Sequence, residues 1–394
     1  MPAKTSNQKS AEFDPTIVQF RKLIELGEIG AISIDTTVFD DNGKQFEKGI
    51  FGQLRQFGTH PQKLIISEVV LKEIYKHFHE RVEKSRARFD RDMYEVCAFV
   101  GGPTELIGLV QSYLEKMPPV DELCDDQFSR FLKESNAIIL PADDYIKVSN
   151  IIEMYFQESP PFHVENPKKK EFPDAISLAS LQSWAERNKT GVIVVSRDKD
   201  WEAYCKNSTR LHVVKTLPDA LSIFQTPDEI VEGMLARLRR ELQDVNSHIS
   251  SIVQETLADY DWSDNVSTTA YSSFEFDEEV DFEIQDMTLH DARENTVKIT
   301  EIDGKTVSFS FNYDIKGIVD LYCSFRKWDG IDREYVRMGS ERFRREFENS
   351  VSFLLTMPVS QGDFFDITVE VQPEYVHIDF DEVEPDFGRI YDRE

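Results

Sequence analysis

The stretch AISIDTTVFDD, residues 31–41, sets a short apolar run against Asp35 and then two threonines, where a Gly or Asn turn would be the ordinary exit. An apolar run this short, bounded by charge, reads as a strand buried on both faces. Three more segments repeat the arrangement. KLIIS (63–67) leads into a helix that carries Glu73 in its second turn. DAISLASLQSWAERN opens as a helix on Asp174. GVIVVS (191–196) is followed by Asp198, with Asp200 two residues later. A parallel sheet presents its ligands at the carboxyl ends of its strands and the starts of its helices. Carboxylates gathered there repel one another and raise one another's pKa, and a divalent cation relieves the repulsion. Oxygen ligands of this hardness suit Mg²⁺ or Mn²⁺.

Strands alternate with helical patterns across this half. TIVQFRKLIELGE reads as a helix closed near Gly27, and KGIFGQLRQF as another. A long helix starts after Ser67, with Val70, Ile74, Phe78 and Val82 on its apolar face. Further helices are expected at about 104–117, 121–134 and 143–157, with a short strand at 137–140 and a last one at RLHVV. This order predicts an α/β fold with a Rossmann-like α/β/α parallel sheet. From Pro227 a single long helix is expected to bridge to a second domain. There period-two alternation, as in VSFSFNY, VDLYCSF, FFDITVEV and YVHIDF, predicts a mainly antiparallel β sheet. The expected division is a disordered tail over 1–13, an α/β domain over 14–224, a linking helix over 225–262 and an acidic β-rich accessory domain over 263–394.

The chain of 394 residues has a formal net charge of −28, unevenly spread. From Gln225 onward there are 16 basic and 39 acidic residues, against 29 and 34 before it, so the acidity does not bar an anionic substrate from the first half. No apolar run reaches the roughly 20 residues of a membrane helix. With no signal-peptide pattern and four scattered cysteines outside any CxxC spacing, a cytoplasmic protein with reduced thiols is expected. His77 and His79, two apart on a helix, face different ways and make a poor zinc pair.

In chain order, SIDTTVF (33–39), SEVVLKEI (67–74), FPDAISLASL (172–181) and VVSRDKDW (194–201) resemble the four acidic motifs of PIN-domain nucleases. The resemblance spans roughly residues 28–224. It implies metal-dependent phosphodiester hydrolysis, usually of RNA, leaving a 5′-phosphate and a 3′-hydroxyl. Carried over by position, it implicates Asp35, Glu73, Asp174 and Asp198 as catalytic and Mg²⁺- or Mn²⁺-binding residues, with Asp200 as a further ligand or a plain helix-start residue. Thr36 and Ser196 match the small hydroxyl residues that accompany the first and fourth acids. About 100 positions separate the second and third acids, more than a minimal member holds, and resemble a larger bacterial-type subgroup with a C-terminal extension. By analogy alone, such members suggest a toxin-like or antiphage role.

Each acid has a plainer reading: Asp174 and Asp198 as helix caps, Asp35 as a loop aspartate, Glu73 as a surface residue. Phosphate contacts need cations, and Lys168, Lys169 and Lys170 directly precede the third acid. A second run (Lys76, Arg81, Lys84, Arg86, Arg88, Arg91) reads better as internally paired helix charges. Trp201 reads as core or rim, with base stacking the sharper alternative. EFDEEVDFEIQD (275–286) reads as a charged edge strand, with a phosphate mimic as the alternative. The expected partner is nucleic acid, RNA before single-stranded DNA, with a homo-oligomer or regulatory protein partner in addition and no membrane. The competing functional reading is a catalytically inactive scaffold that binds RNA or protein. A haloacid-dehalogenase-type phosphatase is disfavoured, because Thr37 stands where its second Asp belongs.

Overall fold

A computed structural model of the chain describes residues 15–100, 108–109, 112–113, 116–162, 171–262, 265–289, 296–329, 331, 333–360, 362, 364–372 and 375–385. The expected tail, most of the helix expected at 104–117 and Lys168 to Lys170 lie outside these residues. The chain forms two compact units. One comprises residues up to Pro227 together with Lys298–Val307, and the other Asp228–Val297 with Ser308 onward.

The first unit is built on five parallel strands: β1 (Ile29–Ile34), β2 (Lys63–Ser67), β3 (Ile138–Leu140), β4 (Gly191–Val195) and β5 (Leu211–Val214). Their order is β3-β2-β1-β4-β5. Every residue of β4 is buried, as are five of the six in β1, so both sheet faces are covered. This is why these strands are apolar runs and not alternations. The helix Pro15–Glu25 ends where Gly27 takes φ +72°, a backbone conformation that favours glycine, and turns the chain into β1. Beyond β1, Phe39, Phe46, Phe51, Phe78 and Phe131 pack edge-on and stacked. The Phe46 ring lies 4.9 Å from Phe39 and 4.7 Å from Phe78. They join the short helix after β1 to the helices Glu68–Val100 and Val120–Ser135.

Two local expectations change. KGIFGQLRQF is one turn of α-helix, Gly49–Gly52, running into a 3₁₀ segment, Gln53–Gly58. The helix expected at 143–157 is two, Ala142–Tyr145 and Val148–Phe156, because Ile146 and Lys147 are extended.

The strand order reverses between β1 and β4, the place where open α/β sheets bind ligands. Ile34 pairs with Val195, so Asp35 and Ser196 leave adjacent strands side by side.

In the second unit, the single helix expected after Pro227 is two, Glu229–Gln243 and His248–Ala258. Asp244 leaves helical geometry, and Ser247 starts the second helix by accepting from Ser250 N–H at 3.0 Å. The Ser247 hydroxyl also donates to the Glu241 carbonyl at 2.7 Å, satisfying the end of the first helix. Strands β6 (Val266–Tyr271), β7 (Glu275–Leu289), β8 (Lys298–Ile302), β9 (Thr306–Asp329), β10 (Glu334–Pro358), β11 (Thr368–Gln372) and β12 (Val376–Glu382) follow in the chain, of which β8 belongs to the first unit. The main sheet has the order β11-β10-β9-β7, with antiparallel pairing of β7 to β9 and of β10 to β11. VSFSFNY and VDLYCSF, read separately in the sequence, are one 24-residue strand, β9. At Gly317 a Cβ would lie 2.5 Å from the Glu283 carbonyl oxygen and against the Phe347 ring, so only glycine lets β7 approach this closely. YVHIDF does not join this sheet; β12 pairs in parallel with β6. The acidic strand β7 is an edge strand and mostly exposed, as the plainer sequence reading has it.

Candidate active site

Three carboxylates, Asp35, Asp174 and Asp198, lie together where β1, β4 and two helix starts converge, with Glu73 reached through Thr36. Asp35 follows β1 and is 5 % exposed. Its Oδ2 accepts from Thr37 Oγ1 at 2.7 Å and from Ser196 Oγ at 2.9 Å, while its N–H donates to the Val195 carbonyl at 3.0 Å. Burial pushes the Asp35 carboxyl above the ordinary carboxylate range, the hydroxyl donors pull it back, and the Asp198 charge pushes it up again. Thr36 Oγ1 donates to Glu73 Oε2 at 2.7 Å, which draws the half-buried Glu73 towards the end of β1.

Ser196 bridges the first and fourth acids. Its hydroxyl donates to Asp35 and accepts from the Asp198 N–H at 3.0 Å. Asp198 is the cap of the helix Lys199–Lys206, so the plainer reading of this residue holds as a local fact. Its Oδ1 accepts from Asp200 N–H at 2.6 Å and Trp201 N–H at 3.3 Å. Asp174 is not a cap. Glu171 holds the cap position of the helix Phe172–Asn188, and Asp174 lies in its first turn. Asp174 Oδ1 accepts the Trp201 indole N–H at 2.8 Å. Its carboxyl is pushed up to about 7, first by burial and then by the charges of Asp35, Asp198 and Glu171, against the lowering effect of the indole.

Asp35, Asp174 and Asp198 are therefore joined by hydrogen bonds or by charge, and Glu73 is reached through Thr36, the residue after Asp35. The Asp200 backbone N–H donates to Asp198 Oδ1 at 2.6 Å, which places it in the first turn of the same helix. Trp201 is 1 % exposed, which excludes a base-stacking role on the surface. Thr37, noted in the sequence only as a residue following Asp35, and Glu171 were not named there as parts of the site. Position marks both as neighbours of the site, Thr37 two residues after Asp35 and Glu171 one helical turn before Asp174. The histidines are separated, His77 on Asp40 at 2.9 Å and His79 on Asp121 at 2.7 Å. In the basic run, Lys76 pairs with Glu80, Arg91 with Asp92, and Arg86 donates to the Pro118 carbonyl.

Among the described residues, no group of three His, Cys, Asp or Glu side chains forms a ready-made metal cage. The donor chemistry nonetheless fits a hard divalent cation. Among the described residues, the charges that shift Asp35 and Asp174 are those of other carboxylates. The hydrogen bonds to Glu73, Asp174 and Asp198 each fall on one oxygen, and the other accepts none among the described residues.

Fold and site together define a Rossmann-like α/β domain with an acidic centre at its switch point. Residues 32–201, which contain all four acids, match the family model of the PIN domain. This part of the chain matches the PIN domain, whose members are generally nucleases, and the β-rich remainder is consistent with a C-terminal extension. No curated protein matches the sequence. Among the described residues, no helix is long and apolar enough to cross a membrane.

Proposed function

We propose that this protein is a Mg²⁺- or Mn²⁺-dependent endonuclease that hydrolyses phosphodiester bonds in RNA. The observation that carries the reading is the hydrogen-bonded convergence of Asp35, Asp198 and Asp174, with Glu73 tied in through Thr36, at a switch point where the charges raising Asp174 are, among the described residues, other carboxylates. When bound, the divalent ion supplies Lewis-acid activation of water and neutralises charge on the phosphate. Asp35, at the end of the central strand, is the principal ligand, and Asp174 and Asp198 complete the set. Glu73, oriented by Thr36, binds the ion or takes the proton of the attacking water. Lys168, Lys169 and Lys170, just before the helix that carries Asp174, are assigned to the RNA backbone. The resemblance of the four motifs to PIN-domain nucleases supports RNA as the substrate, and the proposed reaction leaves a 5′-phosphate and a 3′-hydroxyl.

One observation favours a second reading, a scaffold that binds RNA or protein without cleaving: no three ligand side chains form a closed group among the described residues. The test is incubation of the purified chain with labelled RNA and single-stranded DNA, in Mn²⁺ and in chelator. Mn²⁺-dependent cleavage of RNA is expected. Intact substrate in Mn²⁺ supports the scaffold.

A further inference from the structure

Trp201 touches two of the four acids at once, through different parts of the residue. Its indole Nε1–H donates to Asp174 Oδ1 at 2.8 Å, and its backbone N–H donates to Asp198 Oδ1 at 3.3 Å. Asp174 and Trp201 are 27 residues apart and sit on different helices, so this bond has no local cause. The side chain is 1 % exposed and among the largest fully buried in the protein. A packed indole has only two side-chain torsions and loses both to its surroundings, which makes its N–H a fixed donor.

We infer that Trp201 is the positioning residue of the acidic centre, holding one oxygen of Asp174 and one of Asp198 so that both carboxylates are set before a divalent ion arrives. The inference rests on the metal-dependent reading proposed above and adds to it the group that orients two ligands. Groups of this kind, one step behind the ligands, typically change metal affinity about 10- to 100-fold when removed. The arrangement also separates two jobs of one side chain. Trp201→Phe removes the indole N–H and keeps most of the apolar volume and the backbone N–H, so it tests the bond to Asp174 and not the packing. Trp184, 7 % exposed on the helix that carries Asp174, gives the matched control for loss of a buried indole.

The experiment is calorimetric titration of the full-length chain with Mn²⁺, for the wild type, W201F and W184F. It is joined to a spectrum of the four tryptophan indole N–H groups of the wild type with and without Mg²⁺. The Trp201 resonance is assigned by its loss in W201F or by elimination with W184F, W262F and W328F. We expect Mn²⁺ affinity to fall about 10- to 100-fold in W201F and to stay within about twofold in W184F, and Mg²⁺ to shift the Trp201 resonance of the wild type. Unchanged affinity in W201F, or an equal loss in W184F, overturns the inference while leaving the nuclease reading in place. If W201F does not fold, the wild-type spectrum decides, and a Trp201 resonance indifferent to Mg²⁺ overturns it. A wild type that binds no Mn²⁺ removes both the nuclease reading and the inference.

Discussion

Asp35 and Asp320 are buried to nearly the same degree, 5 % and 4 % exposed, one in each unit. Their surroundings are opposite. Asp320, on β9, receives Arg342 and a bidentate Arg344, whose Nε and second guanidinium N–H reach it at 2.9 and 3.1 Å. These donors hold its carboxyl far below the ordinary range. Asp35 receives, among the described residues, the hydroxyls of Thr37 and Ser196 and the Thr36 backbone N–H, faces the charge of Asp198, and has its carboxyl raised. Asp174, beside it, is pushed up to about 7. A buried carboxylate with its own cation is a structural tie. A group of buried carboxylates lacking one is an incomplete electrostatic arrangement, and such arrangements mark sites where function sets the residue.

The contrast is sharpest in a pair of substitutions. Asp174→Asn should reduce Mn²⁺-dependent cleavage at least about 100-fold, since it removes a ligand. It should leave the melting temperature in chelator unchanged or higher, because it relieves repulsion. Asp320→Asn should leave turnover per folded molecule unaltered. A D174N chain that fails to fold would make Asp174 structural and erase the contrast.

Truncation probes the units themselves. Lys298–Val307 belongs to the first unit although it lies deep in the C-terminal half. Within that unit, the Thr300 carbonyl accepts from Gln56 at 3.2 Å and from Gln225 at 3.1 Å, and Lys298 pairs with Asp219. Deleting residues 260–394 therefore strips these bonds from the first unit. Its melting temperature should fall by roughly 5–10 °C, from about 1 kcal/mol for each hydrogen bond lost and a few degrees for each kcal/mol. An unchanged transition in thermal denaturation would show the segment to be dispensable.

A smaller effect is expected from Asp320→Asn on stability. Its arginine partners are about half exposed, at 46 % and 51 %, so solvent screens the pair. A drop of roughly 2–6 °C is expected by calorimetry.

The pH dependence should divide the two regions by sign. In chelator, the folded chain keeps a proton on Asp174 up to about 7, whereas the unfolded chain releases it near the ordinary value of about 4. The native state binds more protons across that window, so stability declines as pH rises through it. Asp35, raised, and Glu301, pushed up to about 7 by burial and by Asp303, act in the same direction. D174N should flatten part of the decline. Asp320 works oppositely: its contribution is present above about 4 and is lost as pH falls below the ordinary carboxylate range. D320N should flatten only that acid limb. Identical pH profiles for the two variants would contradict the assigned surroundings.

The parallel sheet was legible because strands buried on both faces leave an unbroken apolar signature, as in GVIVV. The acids were legible because each sits at a strand end or an early helical turn, a position that local sequence marks. What was not legible depends on distance along the chain. The indole bond from Trp201 to Asp174 spans 27 residues, and the return of Lys298–Val307 to the first unit spans more. Neither has a local signal. Strand β9 read as two pieces because Lys316-Gly317 resembles a turn, while cross-strand pairing to Ile284 and Asp286, with a register shift between them, carries the strand through. The break at Asp244–Ser247 was readable in principle, since Asp, Asn and Ser in that order are cap residues; the long apolar period on either side masked it.

Anomalous diffraction from crystals soaked in Mn²⁺ tests the central claim most directly. The account predicts a peak whose nearest protein atoms are carboxylate oxygens of Asp35, Asp174 and Asp198. A peak elsewhere, or none at saturating Mn²⁺, would contradict it.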